Sequence, residues 1–121
     1  MDHKEVKWKD SKLWYFAHPY SGENEQGNFD LNNERVSALL DFGYRIYGPI
    51  TYCHVLHLVK HRDWKFWIDF DRPFMEKCDG LILAPGWENS KGCKIEYEYF
   101  QKVGKPILFY RELVKLKVKN K

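Results

Sequence analysis

The chain has 121 residues, enough for one domain, since single cores usually need roughly 100 to 150 residues. Its formal net charge of +3 comes from the end of the chain: Lys115, Lys117, Lys119 and Lys121 face no acid after Glu112, and the rest sums to −1. That balance excludes a general basic surface for a nucleic-acid duplex, and five Trp, eight Tyr and eight Phe provide large core side chains that argue against disorder.

No apolar run approaches a membrane span, and the N-terminal MDHKEVKWKDSK has no apolar h-region, so neither a transmembrane helix nor a secretory signal is expected. Cys53, Cys78 and Cys93 are an odd number without metal spacing and fit a reducing cytoplasm. His54, His57 and His61 could share a helix face, but no nearby acids complete a zinc pattern, so neither metal nor cofactor is expected.

Short apolar runs alternate with longer amphipathic ones, the pattern of a βαβ sheet. Leu13–Ala17 reads as the first strand, followed by a polar loop from His18 to Phe29. Asp30 is the expected N-cap of a helix with Val36, Leu39 and Leu40 inside, stopped at Gly43. Tyr44–Tyr47 is the second strand, Ile50–Arg62 is partly helical, and a longer helix runs from Asp63 toward Cys78. Gly80–Ala84 is the third strand; Pro85–Gly92 leads into a helix ending near Gly104, and Pro106–Tyr110 is the fourth strand. The strict alternation Val114–Lys119 suits a lysine-rich edge strand or a solubilising tail. The expected units are a charged extension (1–12), one α/β domain (13–111) and a basic tail (112–121). Right-handed crossovers make this a parallel sheet of four to five strands in a flavodoxin-like (Rossmann-like) three-layer sandwich. Ligands then bind beyond the strands' carboxyl ends, at the loops after His18, at Pro49–His54 and at Pro85–Gly92.

Two acids lie on the inner faces of their helices. At about 100° per residue, Glu96 falls within the arc of Ile95, Tyr99, Phe100 and Val103, whereas Lys94, Glu98, Gln101 and Lys102 face solvent. Asp71 sits in the stripe of Trp64, Trp67, Ile68, Phe74, Met75 and Cys78, opposite Lys65, Asp69, Arg72 and Glu76. An inward acid must be hydrogen-bonded or functional. For Asp71 there is a second reading, in which Pro73 breaks the helix and Asp71 caps the following piece. Paired carboxylates suit glycosidic chemistry, one at the anomeric carbon and one handling a proton. Ser90 and Gly92 precede a helix N-terminus, where an anion such as phosphate is favoured. Trp64, Trp67 and His54 could stack on a base, although tryptophans in such a stripe also read as core.

Several segments, in order, resemble the nucleoside 2-deoxyribosyltransferase-like superfamily. Tyr15-Phe16-Ala17-His18-Pro19-Tyr20-Ser21 resembles its opening Y-[FL]-A-x-P-Y-S; Trp67, Asp71 and Cys78-Asp79 resemble W-x(3)-D-x(6)-C-D. Ser90, Gly92 and Glu96 resemble S-x-G-x(3)-E, and Gly104-Lys105-Pro106 closes the match. The similarity is nearest to an uncharacterised bacterial and phage branch related to 2′-deoxynucleoside 5′-monophosphate N-glycosidases. It implies cleavage of the base–sugar bond of a nucleoside or nucleoside 5′-monophosphate, by hydrolysis or deoxyribosyl transfer. Glu96 would be the nucleophile, Asp71 the residue orienting substrate and handling protons, and Tyr15 the strand-one tyrosine near the nucleophile. On physical grounds Tyr15 is then expected to donate a hydrogen bond that keeps Glu96 ionised near neutrality. Ser90 and Gly92 would meet phosphate; Tyr20 and Ser21 belong to the substrate loop. It also implies a homo-oligomer, a dimer, with sites near subunit interfaces; from composition and charge, neither a membrane nor a nucleic acid is the expected partner. The chain departs from the monophosphate hydrolases after the first strand, where a Gly/Arg-rich loop is replaced by one carrying Glu23 and Glu25, and Arg35 is the nearest helix-one arginine. A non-catalytic nucleotide-binding or signalling module of the same fold is the alternative; a third possibility is an interaction protein working through the basic tail.

Overall fold

The computed structural model describes residues 7–119, with side chains to residue 116. Residues 1–6 of the charged extension and 120–121 of the tail lie outside the described residues. Elements run β1 (Leu13–Ala17), α1 (Glu25–Asp41), β2 (Arg45–Tyr47), α2 (Pro49–Val59), α3 (Trp64–Lys77), β3 (Gly80–Leu83), a 3₁₀ turn (Trp87–Asn89), α4 (Lys91–Lys102), β4 (Ile107–Phe109) and α5 (Tyr110–Lys119). The sheet has four strands in the order β2-β1-β3-β4, every pair parallel. It is an α/β three-layer sandwich of the flavodoxin-like kind.

Alternation along β1 builds both cores. Tyr15 and Ala17 point to one face with Leu81 and Leu83, meeting Met75 of α3 and Cys93 and Phe100 of α4. Trp14 and Phe16 point to the other with Ile82, meeting Leu39 of α1 and Leu113 of α5. Gly80, opposite Trp14 in the register, leaves room for that indole; a Cβ there would lie 2.7 Å from Trp14 Cε3. The tyrosine that reaches the site is thus carried on a strand buried on both faces, as parallel sheets require.

Three expectations about secondary structure are corrected, and with them the burial of two residues. First, α1 begins at Glu25, not after Asp30. Asn24 caps it by accepting from Gly27 N at 3.1 Å, and any Cβ at residue 27 would strike the Asn24 side chain. The polar first turns hide this start, and the helix's buried positions are Asn32 and Leu39, with Leu40 exposed. Second, Pro73 does not break α3, which runs unbroken from its Asp63 cap to Lys77. Pro73 only removes the hydrogen bond that the Asp69 carbonyl would accept on the exposed side. Asp71 is therefore not a cap. Third, the stretch from Tyr110 to Lys119 is helix, not an edge strand. Its Glu, Leu and Lys are good helix formers, and Tyr110 and Leu113, one turn apart, pack on the sheet. Alternation over six residues could not outweigh that anchor. Val103, expected inside, is the exposed C-cap of α4.

Candidate active site

The carboxyl ends of β1 and β2 and the N-terminal part of α4 converge on a cavity of about 290 Å³. Helices α2 and α3 form its other wall. At its inner end lie the two inward acids, Asp71 and Glu96, 5% and 6% exposed. Tyr15, fully buried beneath them, donates its hydroxyl to Glu96 Oε2. Tyr47, the register partner of Tyr15 on β2, contributes a second hydroxyl beside Asp71.

Burial dominates the charge state of this group. It raises the Glu96 pKa to about 8; the Tyr15 hydrogen bond opposes the rise and the Asp71 charge adds to it. Burial likewise raises Asp71 to about 7, against hydrogen bonding from Tyr15 and Tyr47. Tyr15 itself is pushed well above its ordinary value, by burial first and then by the two carboxylates. The expectation that Tyr15 keeps Glu96 ionised near neutrality is corrected. Its hydrogen bond acts in that direction, but desolvation is larger. The two carboxyls titrate as a pair, and at neutral pH the pair retains a proton. One buried acid and one latent carboxylate are what general acid and nucleophile require.

Ser90 is the N-cap of α4: its Oγ accepts from Cys93 N at 3.3 Å. It lines the cavity with Gly92, whose missing side chain leaves the first helical turn open; a Cβ there would meet only Ile68 Cδ1, at 4.0 Å. Backbone N–H groups of a helix's first turn are unpaired and attract anions. Trp64 and Trp67 both line the cavity, as do Tyr20 and Ser21. The Trp67 Nε1–H, and Nδ1 of the neighbouring lining residue His57, are buried without a hydrogen-bond partner among the described residues. His57 Nε2 faces Glu25 Oε1 at 3.2 Å, so that nitrogen carries a proton; in the neutral ring Nδ1 is an acceptor. The aromatic wall therefore holds two ring nitrogens without a partner among the described residues, the Trp67 Nε1–H donor and His57 Nδ1.

His54 is not at the cavity. It is 2% exposed, stacked on Phe29 at 4.2 Å, and held by Tyr20 Oη at 2.7 Å and Gln26 Oε1 at 3.1 Å. Its role is to fix Tyr20, which does reach the cavity. Arg35 is also absent from the lining: its Nη1 lies 2.9 Å from His18 Nε2 and its guanidinium stacks on Tyr110. A guanidinium can only donate, so His18 Nε2 accepts and Nδ1 carries the hydrogen donated to the Pro19 carbonyl, at 2.7 Å. His18 is thus a neutral wall residue; burial, with Arg35 adding, lowers its pKa to about 4.

Sequence reasoning did not bring Tyr47 or Arg62 to the site; it named His18 only as the start of a ligand loop, Glu25 only as an acid of that loop and His57 only in weighing a metal site. A signal existed for Tyr47, since parallel register sets it beside Tyr15. For Glu25 and His57 none existed, because their meeting depends on where α1 starts. Among the described residues no cluster of His, Cys, Asp and Glu could hold a metal, and no helix is long and apolar enough to cross a membrane.

Residues 12–112 match the family described as "Domain of unknown function (DUF1937)". The chain belongs to that family. The DUF1937 match spans every element from β1 to the first turn of α5, and so includes Tyr15, Asp71 and Glu96 together. No curated protein matches the chain in sequence.

Proposed function

We propose that this DUF1937 protein is an N-glycosidase of the nucleoside 2-deoxyribosyltransferase-like superfamily, acting on a nucleoside or a (deoxy)nucleoside 5′-monophosphate. The observation that carries the reading is the buried pair Glu96 and Asp71, joined through Tyr15 at the end of a tryptophan-walled cavity. In the first step the ionised Glu96 carboxylate attacks C1′ of the sugar. The C1′–N bond breaks, its electron pair stays on the base nitrogen, and Asp71 supplies the proton. In the second step Asp71 takes a proton from water, whose oxygen attacks C1′ and releases the Glu96 carboxylate. A second base in place of water would make the reaction a transfer. The developing positive charge at the sugar favours the ionised form of Glu96, offsetting its burial at the moment of reaction. A base fits between Trp64, Trp67 and the His57 edge, and a 5′-phosphate fits the Ser90–Gly92 helix N-terminus. Three buried free thiols suit a reducing compartment, and we place the protein in the cytoplasm.

A non-catalytic nucleotide-binding module is the second reading. It takes support from Arg35, which is engaged by His18 rather than turned to the cavity, and from Glu25 on the wall. Incubation with a panel of nucleosides and monophosphates, with chromatographic detection of free base, separates the two. Release by wild type and not by Glu96→Ala is expected. Calorimetric binding of a nucleotide without any release would instead establish the binding module.

A further inference from the structure

The cavity is acidic as well as aromatic. Its lining holds four carboxyl groups, Glu25, Asp63, Asp71 and Glu96, against a single Lys or Arg side chain among the described residues, Arg62. The Arg62 guanidinium stands 5.3 Å from the ring of Phe66, which is outside the lining. His57 answers Glu25 at 3.2 Å. Among the described residues no basic side chain forms an ion pair with Asp63, Asp71 or Glu96.

Two of these acids bracket the tryptophans. Trp64, Trp67 and Asp71 fall within about 60° around α3, and all three reach the cavity. Asp63 caps the same helix, accepting from Phe66 N at 3.0 Å, and lines the cavity too. A ring laid along this stripe lies between two carboxyls. Lys65 Nζ, from outside the lining, stands 5.8 Å from the Trp64 ring. Trp67 packs edge to face with Phe66 and Phe70 and has no cation of the chain over it among the described residues. Indole faces attract cations, and carboxylates attract them more strongly where water is excluded.

We propose that the ring recognised against Trp67 is positively charged, so that the substrates are N-glycosides of cationic heteroaromatic bases. The inference rests on the glycosidic reading for its chemistry and sharpens it. The Glu96 carboxylate attacks C1′, the C1′–N bond breaks, and its electron pair neutralises the ring nitrogen. The base therefore leaves neutral and takes no proton. Water then attacks C1′, its proton passes to the Asp71 carboxylate, and the Glu96 carboxylate is released. A cationic ring also favours the ionised forms of both carboxyls, whose burial otherwise keeps a proton on the pair at neutral pH. A neutral base needs a proton from Asp71 and leaves that burial uncompensated.

Calorimetric titration of the full chain with 1-methylnicotinamide and with its uncharged isostere 3-methylbenzamide isolates the charge of the ring. The cation is expected to bind about tenfold tighter or more. Asp63→Asn keeps a capping side chain and removes one bracketing charge, so it should weaken the cation alone and shrink the ratio. Equal affinities, a cation that does not bind, or a ratio untouched by Asp63→Asn would overturn the proposal. Chemistry is read separately. Wild type should release nicotinamide from nicotinamide riboside faster than it releases base from neutral nucleosides, and Glu96→Ala should not release it. Faster cleavage of the neutral nucleosides would also overturn the proposal. A charge preference without release from any glycoside would defeat the glycosidic reading and leave the ring preference standing.

Discussion

The hydroxyl of Tyr15 on the inner strand β1 meets the carboxyl of Glu96 on α4 across 81 residues of chain, with both groups buried. That hydrogen bond opposes burial without cancelling it, and the behaviour of the site with pH follows from the imbalance.

Replacing Tyr15 with Phe keeps the ring packed between Tyr47 and Phe100 and removes only the donor. The Glu96 and Asp71 pKa values should both rise further, because Tyr15 lowers each of them. The expected result is a pH–rate profile whose acid limb moves to higher pH, with kcat lowered on the order of a hundredfold. A profile superimposable on that of wild type would show that Tyr15 does not tune the pair.

Stability should fall as pH rises from about 4.5 to 8. Both acids have folded-state pKa values above their unfolded values, so the folded state binds more protons in that window and the slope of unfolding free energy against pH is negative. A tenfold difference in proton affinity between folded and unfolded chain corresponds to about 1.4 kcal/mol, so the two groups together account for several kcal/mol. Urea titrations at pH 5 and pH 8 should show the difference. In the double variant Glu96→Gln/Asp71→Asn the fall should vanish and the opposite slope of His18 should emerge, stability rising toward pH 6.5 because burial lowers that pKa to about 4.

Gly92→Ala separates fold from binding. The added methyl meets nothing closer than Ile68 Cδ1 at 4.0 Å, and Ala is favoured over Gly within a helix by about 1 kcal/mol. The melting temperature should hold or rise slightly. The methyl stands where a ligand's anionic group would approach the first turn of α4, so KM should rise on the order of tenfold with little change in kcat. An unchanged KM would remove Gly92 from the binding surface.

His18 should stay neutral well below the usual histidine range, its pKa lowered to about 4 by burial and by Arg35. In Arg35→Gln the cation is lost while burial stays. The imidazole pKa, followed by NMR, should then rise but remain below its ordinary value. Titration of wild-type His18 near pH 6.5 would contradict its assignment as a wall residue fixed by Arg35 and the Pro19 carbonyl.

Much of this arrangement was legible in the chain. Helical spacing alone turns Glu96 inward and Glu98 outward, and Asp71 inward against Lys65, Asp69, Arg72 and Glu76, as the burial of each confirms. Strand alternation gives the two core faces of β1. Three features were not legible, for physical reasons. The start of α1 depends on an Asn24 cap that only Gly27 permits, and the polar turns that follow carry no apolar period. The fate of Val114–Lys119 depends on an anchor at Tyr110 and Leu113 rather than on its own pattern. The charge on Glu96 depends on how much water the fold removes, a quantity that a favourable hydrogen-bond donor in the sequence cannot reveal. His54 illustrates the same limit: a histidine near a site is as readily a buried prop for Tyr20 as a ligand-facing group.

A crystal of the Glu96→Gln variant soaked with a deoxynucleoside 5′-monophosphate tests the central claim most directly. The account predicts C1′ about 3 to 3.5 Å from the side chain at position 96, the near-attack distance, with the base against Trp67 and the phosphate at Ser90 and Gly92. A nucleotide bound in the cavity with its sugar turned away from position 96 and Asp71 would contradict it.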